Sequence, residues 1–150
     1  MPSLLEQLTE NRLMQTPEQV TLFDATLAAL PGEHTDDELR TLLRVFDDCT
    51  EHFEVMWGLV HYVESVPQYL TLQAFLTSIA DMQISAKEWA DILMLRLLNA
   101  DDTRASLPAQ IVLLNERNRL AAISTIREIE SDASGQLKAR ASEVLAAVRA

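Results

Sequence analysis

Apolar residues recur along this chain at steps of three and four, the period of a helix that buries one face. Leu4, Leu5 and Leu8 make one stripe, and Val20, Phe23, Leu27 and Leu30 make the next, closed by Pro31-Gly32. Leu39, Leu42, Leu43 and Phe46 predict a third helix, and a fourth is expected over about 50–65. Pro67 opens a fifth carrying Leu70, Ala74, Phe75 and Ile79; a sixth follows Ser85 with Trp89, Ile92, Leu93 and Leu97, stopping near Asn99. Pro108 interrupts the apolar run 107–114, and segments 120–129 and 137–148 read as a final antiparallel pair turning at 132–135.

The helix starts are written in the sequence. Ser3, Thr16, Thr35 and Ser85 each stand three residues before a Glu or Gln. In such a box the hydroxyl accepts from the third helical amide while the Glu or Gln side chain reaches back to the cap amide. Pro17 suits the first helical position, where a missing N–H costs nothing. Asp36, Asp37 and Glu38 sit where the positive end of a helix dipole favours anions.

Composition agrees. Only three Gly and five Pro punctuate 150 residues, and aromatic residues are 5% of the chain, too few turns and too few sheet formers for an all-β protein. The expected fold class is all-α: about eight antiparallel helices in a single domain over 1–150. A HEAT-like stack of helical hairpins is preferred, and a compact helical bundle is the alternative.

Charge narrows the function. Twenty-three acids face twelve bases, a net charge of −11, which argues against nucleic acid and against anionic lipid as partners. The single cysteine, Cys49, forbids an internal disulfide and suits a reducing compartment; as a lone thiol it is expected to be a small buried hydrophobe. The N-terminal segment lacks the basic and apolar regions of a signal peptide, and no apolar run is long enough to span a bilayer, so a soluble cytoplasmic protein is expected. The acids are concentrated: over 18–64 eleven carboxylates meet only Arg40 and Arg44, nine of the eleven net negative charges in under a third of the chain. Such a field is either a solubilising surface or a steering face for a cationic protein.

The predicted fourth helix carries Glu51, Glu54, Gly58, His61 and Ser65 on one stripe. A glycine inside a helix costs about 1 kcal/mol relative to alanine, so something should approach its backbone. Another helix packing there is the simpler expectation, with His61 turned inward; a partner's side chain filling the groove is the alternative. Metal chemistry finds little support. Carboxylate di-iron bundles need Glu-x-x-His twice with two further Glu, whereas His61-x-x-Glu64 is reversed and occurs once. Three histidines, no phosphate-cradling Gly-rich loop and no nucleophile elbow leave no enzyme signature. No metal, no cofactor and no catalytic residue is expected; Trp57 and Trp89 are read as core.

The segment from Phe46 to Ser65, with Tyr69-Leu70, Ala86-Lys-Glu-Trp-Ala-Asp91 and Arg96-Leu-Leu-Asn99, resembles the small immunity proteins of bacterial polymorphic toxin and contact-dependent inhibition systems, and among them the immunity family numbered thirty. The resemblance covers 42–104. It implies a non-enzymatic protein that binds and neutralises a cognate toxin domain. A basic, nuclease-type toxin would match the acidic surface, and opposite charge would speed its capture. The charge pattern, not the resemblance, nominates Asp36, Asp37, Asp47, Asp48, Glu51, Glu54 and His61 as partner-binding residues, on a face able to supply a standard interface of about 1,600 Å². A helical adaptor for a partner peptide or helix and a carboxylate-His metal-binding protein are the rival readings.

Overall fold

At three of the four predicted helix starts the hydroxyl caps the helix. In the computed structural model, which describes residues 2–149, Ser3 caps α1 (Leu4–Asn11), Thr16 caps α2 (Pro17–Ala28) and Thr35 caps α3 (Asp36–Val45), each hydroxyl accepting from the third helical amide. Only Thr35 closes the full reciprocal box. Gln19 instead reaches one residue further back and accepts from the Gln15 N–H at 2.7 Å.

The Ser85 box is not formed. α5 (Gln68–Ser85) runs through that serine, and α6 (Lys87–Leu98) starts from Ala86 with no side-chain cap. A residue still in the helical region cannot adopt the extended conformation that a cap requires. The fourth helix is shorter than expected: α4 covers Phe53–Ser65, leaving Thr50, Glu51 and His52 ahead of it. α7 (Asp101–Val112) keeps Pro108 inside the helix rather than breaking there. An interior proline removes one backbone donor at a cost of about 3 kcal/mol, so this helix depends on packing, through buried Leu107 and Ile111. α8 (Glu116–Asp132) and α9 (Gly135–Arg149) are the predicted final pair, and Gly135 takes the left-handed conformation between them at φ +61°.

The chain is all-α, with nine helices and no strand among the described residues. It divides into two compact units, one ending at Phe75 and one beginning at Leu76. In the first, α2 packs on α1 and α4, and α1 on α3, around Leu8, Phe23, Leu39, Leu42, Leu43 and Met56, all fully buried. Met14 is buried too, and its positive φ of 50° turns the chain between α1 and α2. In the second, α9 lies against α8 and α7, and α6 against α7, α8 and α9, around Trp89, Met94, Leu98, Leu107 and Ile126. Two of its amide side chains are paired: Asn118 Nδ2 donates to the Thr77 carbonyl at 3.2 Å, and Gln83 Nε2 donates to the Ala121 carbonyl and Thr125 Oγ1 at 3.1 and 2.9 Å. Within each unit the helices pack as a compact bundle.

Candidate functional site

The acidity follows the division of the chain. Residues 1–75 hold thirteen acids and three arginines, whereas 76–150 hold ten acids and nine bases. The seven residues nominated by charge all fall in the first unit, at three stations.

The first station is the start of α3. Thr35 Oγ1 accepts from the Glu38 N–H at 3.1 Å, and Glu38 Oε1 accepts from the Thr35 N–H at 2.8 Å. That backbone donor is the main reason the Glu38 carboxyl lies below its ordinary range. Asp36 and Asp37 complete the acidic first turn and are exposed; Asp37 pairs with Arg40 one turn on. The helix dipole stabilises these anions where they stand.

The second station is the loop between α3 and α4. Asp47 turns inward, its side chain 12% exposed. One carboxylate oxygen accepts from the Cys49 N–H at 2.8 Å and the other from Arg12 Nε at 3.3 Å. The first of these bonds is an Asx-type turn, and the Thr50 N–H closing on the Asp47 carbonyl at 3.3 Å completes it. This turn is why α4 begins late. The Glu51 N–H donates to the Leu13 carbonyl at 3.0 Å, tying the loop to the α1–α2 connection. Asp48 is half-buried, while Glu51 and Cys49 are exposed. The turn thus overrides the expectations of a buried cysteine and of Glu51 on the α4 stripe.

The third station is α4. Glu54 is exposed, and its carboxyl lies below the usual range, chiefly because its own backbone amide donates to it and secondly because His52 does, with Nδ1 at 3.1 Å from Oε1. His61, two turns on, is exposed rather than inward, its ring 6.0 Å from that of Trp57. Gly58 between them meets α2: a Cβ built there would stand 3.1 Å from Leu27 Cδ2. The close approach predicted at this glycine is therefore a neighbouring helix, and Leu27 fills the space considered for a partner's side chain. Trp57 is half-buried and Trp89 is fully buried.

Near the far end of α4 the Tyr62 hydroxyl donates to the Pro31 carbonyl at 2.5 Å and also meets His34 Nε2. With its one proton committed to Pro31, the Tyr62 oxygen accepts from His34 Nε2–H. Burial first, and the Glu38 charge second, push the Tyr62 hydroxyl above its ordinary pKa. This contact anchors the α2–α3 connection, and with it the acidic start of α3, to α4. At 1.5 Å per residue, Asp37 and the C-terminal end of α3 are about 12 Å apart. The carboxylates therefore form an extended acidic series rather than one cluster.

Sequence reasoning did not foresee Arg12, Tyr62 and His34 as the residues that hold these stations in place. The Asx-turn potential of Asp47-Asp48-Cys49 was the one local signal; the other pairings join residues 28 to 35 positions apart.

Among the described residues no three His, Cys, Asp or Glu side chains are grouped to hold a metal ion. No described helix is long and apolar enough to cross a membrane. The family model for immunity protein 30 matches residues 10–107, from α1 through most of α7. No curated protein and no solved structure matches the chain.

Proposed function

This chain belongs to the immunity protein 30 family, and from that premise we infer that it neutralises a cognate toxin domain by binding it, through the acidic side chains of its first unit and without chemistry of its own. The observation that carries this reading is the one-sided charge of residues 1–75, where thirteen acids stand against three arginines. Asp36, Asp37, Asp48, Glu51 and Glu54 present that charge, His61 borders it, and Asp47 sets the loop that displays Asp48 and Glu51. An excess of like charge along this series is self-repulsive, a cost that a cationic partner relieves.

The partner that fits is a basic toxin domain of the nuclease type from a polymorphic toxin system. An inhibitor must engage such a protein before it acts, and opposite charge raises association rates by roughly 10–10³. A lone cysteine suits a reducing compartment, and we place the encounter in the cytoplasm. The test is co-expression of this chain with the C-terminal toxin domain encoded beside it. Growth restored by this chain, and lost when Asp36, Asp37 and Glu51 are reversed to Lys, supports the reading. Growth arrest that this chain does not relieve refutes it.

A further inference from the structure

The second unit, nearly neutral overall, carries a local breach of helix electrostatics. α8 ends in Glu128, Ile129, Glu130, Ser131 and Asp132, three carboxylates where the helix dipole is negative, and no basic residue stands in its last turn. Cations belong at that end of a helix. Glu130 Oε2 accepts from the Ser142 hydroxyl at 2.6 Å, and Glu128 accepts from Lys87 Nζ at 2.5 Å. Asp132 remains exposed at the terminus itself.

Beside this acidic end lies a cleft of about 290 Å³ between α6, α8 and α9. Its wall is apolar: Ile92 and Leu95 from α6, Ile129 from α8 and Leu137 from α9. Leu95 is 37% exposed, large for an aliphatic side chain on a helix that otherwise buries Trp89, Leu93, Met94 and Leu98. The rim is charged, with Asp91, Glu128 and Asp132. Lys87 bridges the first two at 3.1 and 2.5 Å, and those bonds raise its pKa. Lys87 answers two of these carboxylates, and Asp132 stands exposed beside the apolar wall. Five of its eight lining residues, from Glu128 to Leu137, lie beyond the segment matched by the family model.

We propose that this α6–α8–α9 cleft is a second docking site, which takes an apolar side chain flanked by Lys or Arg from a cationic amphipathic segment of the toxin. The assignment of that partner rests on the toxin-neutralising reading; the chemistry of the occupant rests on the cleft. The apolar anchor enters between Leu95 and Leu137, and the flanking cation meets Asp132 at the negative end of α8, where it supplies the missing positive charge. The cleft adds an apolar contact, while the acidic first unit sets the speed of encounter.

The test uses this 150-residue chain with labelled methyl groups and three synthetic helical peptides of equal length. One alternates Leu at helical spacing with Lys, one replaces each Leu by Ser, and one replaces each Lys by Glu. The Leu/Lys peptide is expected to shift the methyl signals of Ile92, Leu95, Ile129 and Leu137, and the two controls are not. Asp132→Lys should weaken this binding at least fivefold while holding or raising Tm, since it repairs the helix end. Leu95→Arg should weaken it similarly with the fold intact. Unshifted cleft methyls, equal shifts with a control peptide, or undiminished binding by Asp132→Lys would overturn the proposal. Growth rescue by the wild-type chain reads the toxin-neutralising function separately. Rescue without peptide binding sinks the cleft alone, and peptide binding without rescue sinks the toxin as its partner.

Discussion

Arg12 and Asp47, thirty-five residues apart, meet through Nε and Oδ2 at 3.3 Å. The same carboxylate accepts from the Cys49 amide, so one buried side chain both closes the α3–α4 loop and joins it to the end of α1. A hydrogen bond to a charged group contributes about 1.5–3 kcal/mol, and removing one partner strands the other. Asp47→Ala should therefore lower stability by about 1–2 kcal/mol in urea unfolding, after a discount for the partly exposed arginine. Glu51→Gln, at an exposed carboxylate whose loop contact is made by its backbone, should stay within about 0.5 kcal/mol of wild type. Equal losses in the two variants would mean that Asp47 does not organise the loop.

Gly58 and Leu27 set opposing effects against each other. Alanine gains about 1 kcal/mol of helix propensity at an interior position. Its Cβ would press on Leu27 Cδ2 from 3.1 Å, but that methyl is the end of a side chain that can rotate aside. Gly58→Ala should leave stability within about 1 kcal/mol of wild type. Gly58→Leu cannot be accommodated and should cost about 1–3 kcal/mol by overpacking. Thermal unfolding of the two variants decides it, and a well-tolerated leucine would contradict the close approach of α2 to α4.

Glu38 makes the start of α3 sensitive to acid. Its folded pKa lies below the ordinary value, so its contribution is complete above the unfolded pKa and disappears as pH falls through the folded one. Hydrogen exchange of the Thr35 amide, which donates to Glu38, should accelerate, relative to an unfolded peptide, as pH falls through the glutamate range. Glu38→Gln keeps the reach of the box without a titrating group, so its relative protection should be flat across the same range. A wild-type profile as flat as that of the variant would remove the assignment.

The two tryptophans fall one in each unit, Trp57 in the first and Trp89 in the second. With Trp57→Phe as background, fluorescence reports the second unit alone. A single cooperative domain predicts that adding Asp47→Ala, a lesion in the first unit, shifts the Trp89 transition and the far-ultraviolet dichroism transition by the same amount. A Trp89 midpoint that does not move would divide the chain into independently folding parts.

The helical class and most element boundaries were legible because they are local. Ser3, Thr16 and Thr35 act within four residues, and the apolar period that predicted α2 and α3 is the one they bury. Where two local signals competed, sequence gave no arbiter. Ser85 could cap α6 or extend α5, and the helical backbone of α5 prevailed. Asp47 could join an acidic face or close an Asx turn, and the turn prevailed because Arg12 lies within reach. Pro108 read as a break, yet helix continues through it where Leu107 and Ile111 are buried. The start of α7 was missed for a related reason: Ala100 offers no capping side chain, and the Thr103 hydroxyl donates back to the Leu97 carbonyl at 2.7 Å instead. The acidic bias of the first unit was countable from residues alone. Its division into three stations depends on pairs such as His34 with Tyr62, which only folding brings together.

The central claim is that the carboxylates of the first unit steer a cationic toxin domain. Its most direct test is the association rate of this chain with the toxin domain encoded beside it, measured by stopped flow across ionic strength, for wild type and for the triple reversal of Asp36, Asp37 and Glu51 to Lys. Steering predicts a wild-type rate that falls steeply as salt screens the charges, and a variant that is at least tenfold slower at low salt with little salt dependence left. A wild-type rate indifferent to salt, or a variant that associates as fast as wild type, would contradict the account.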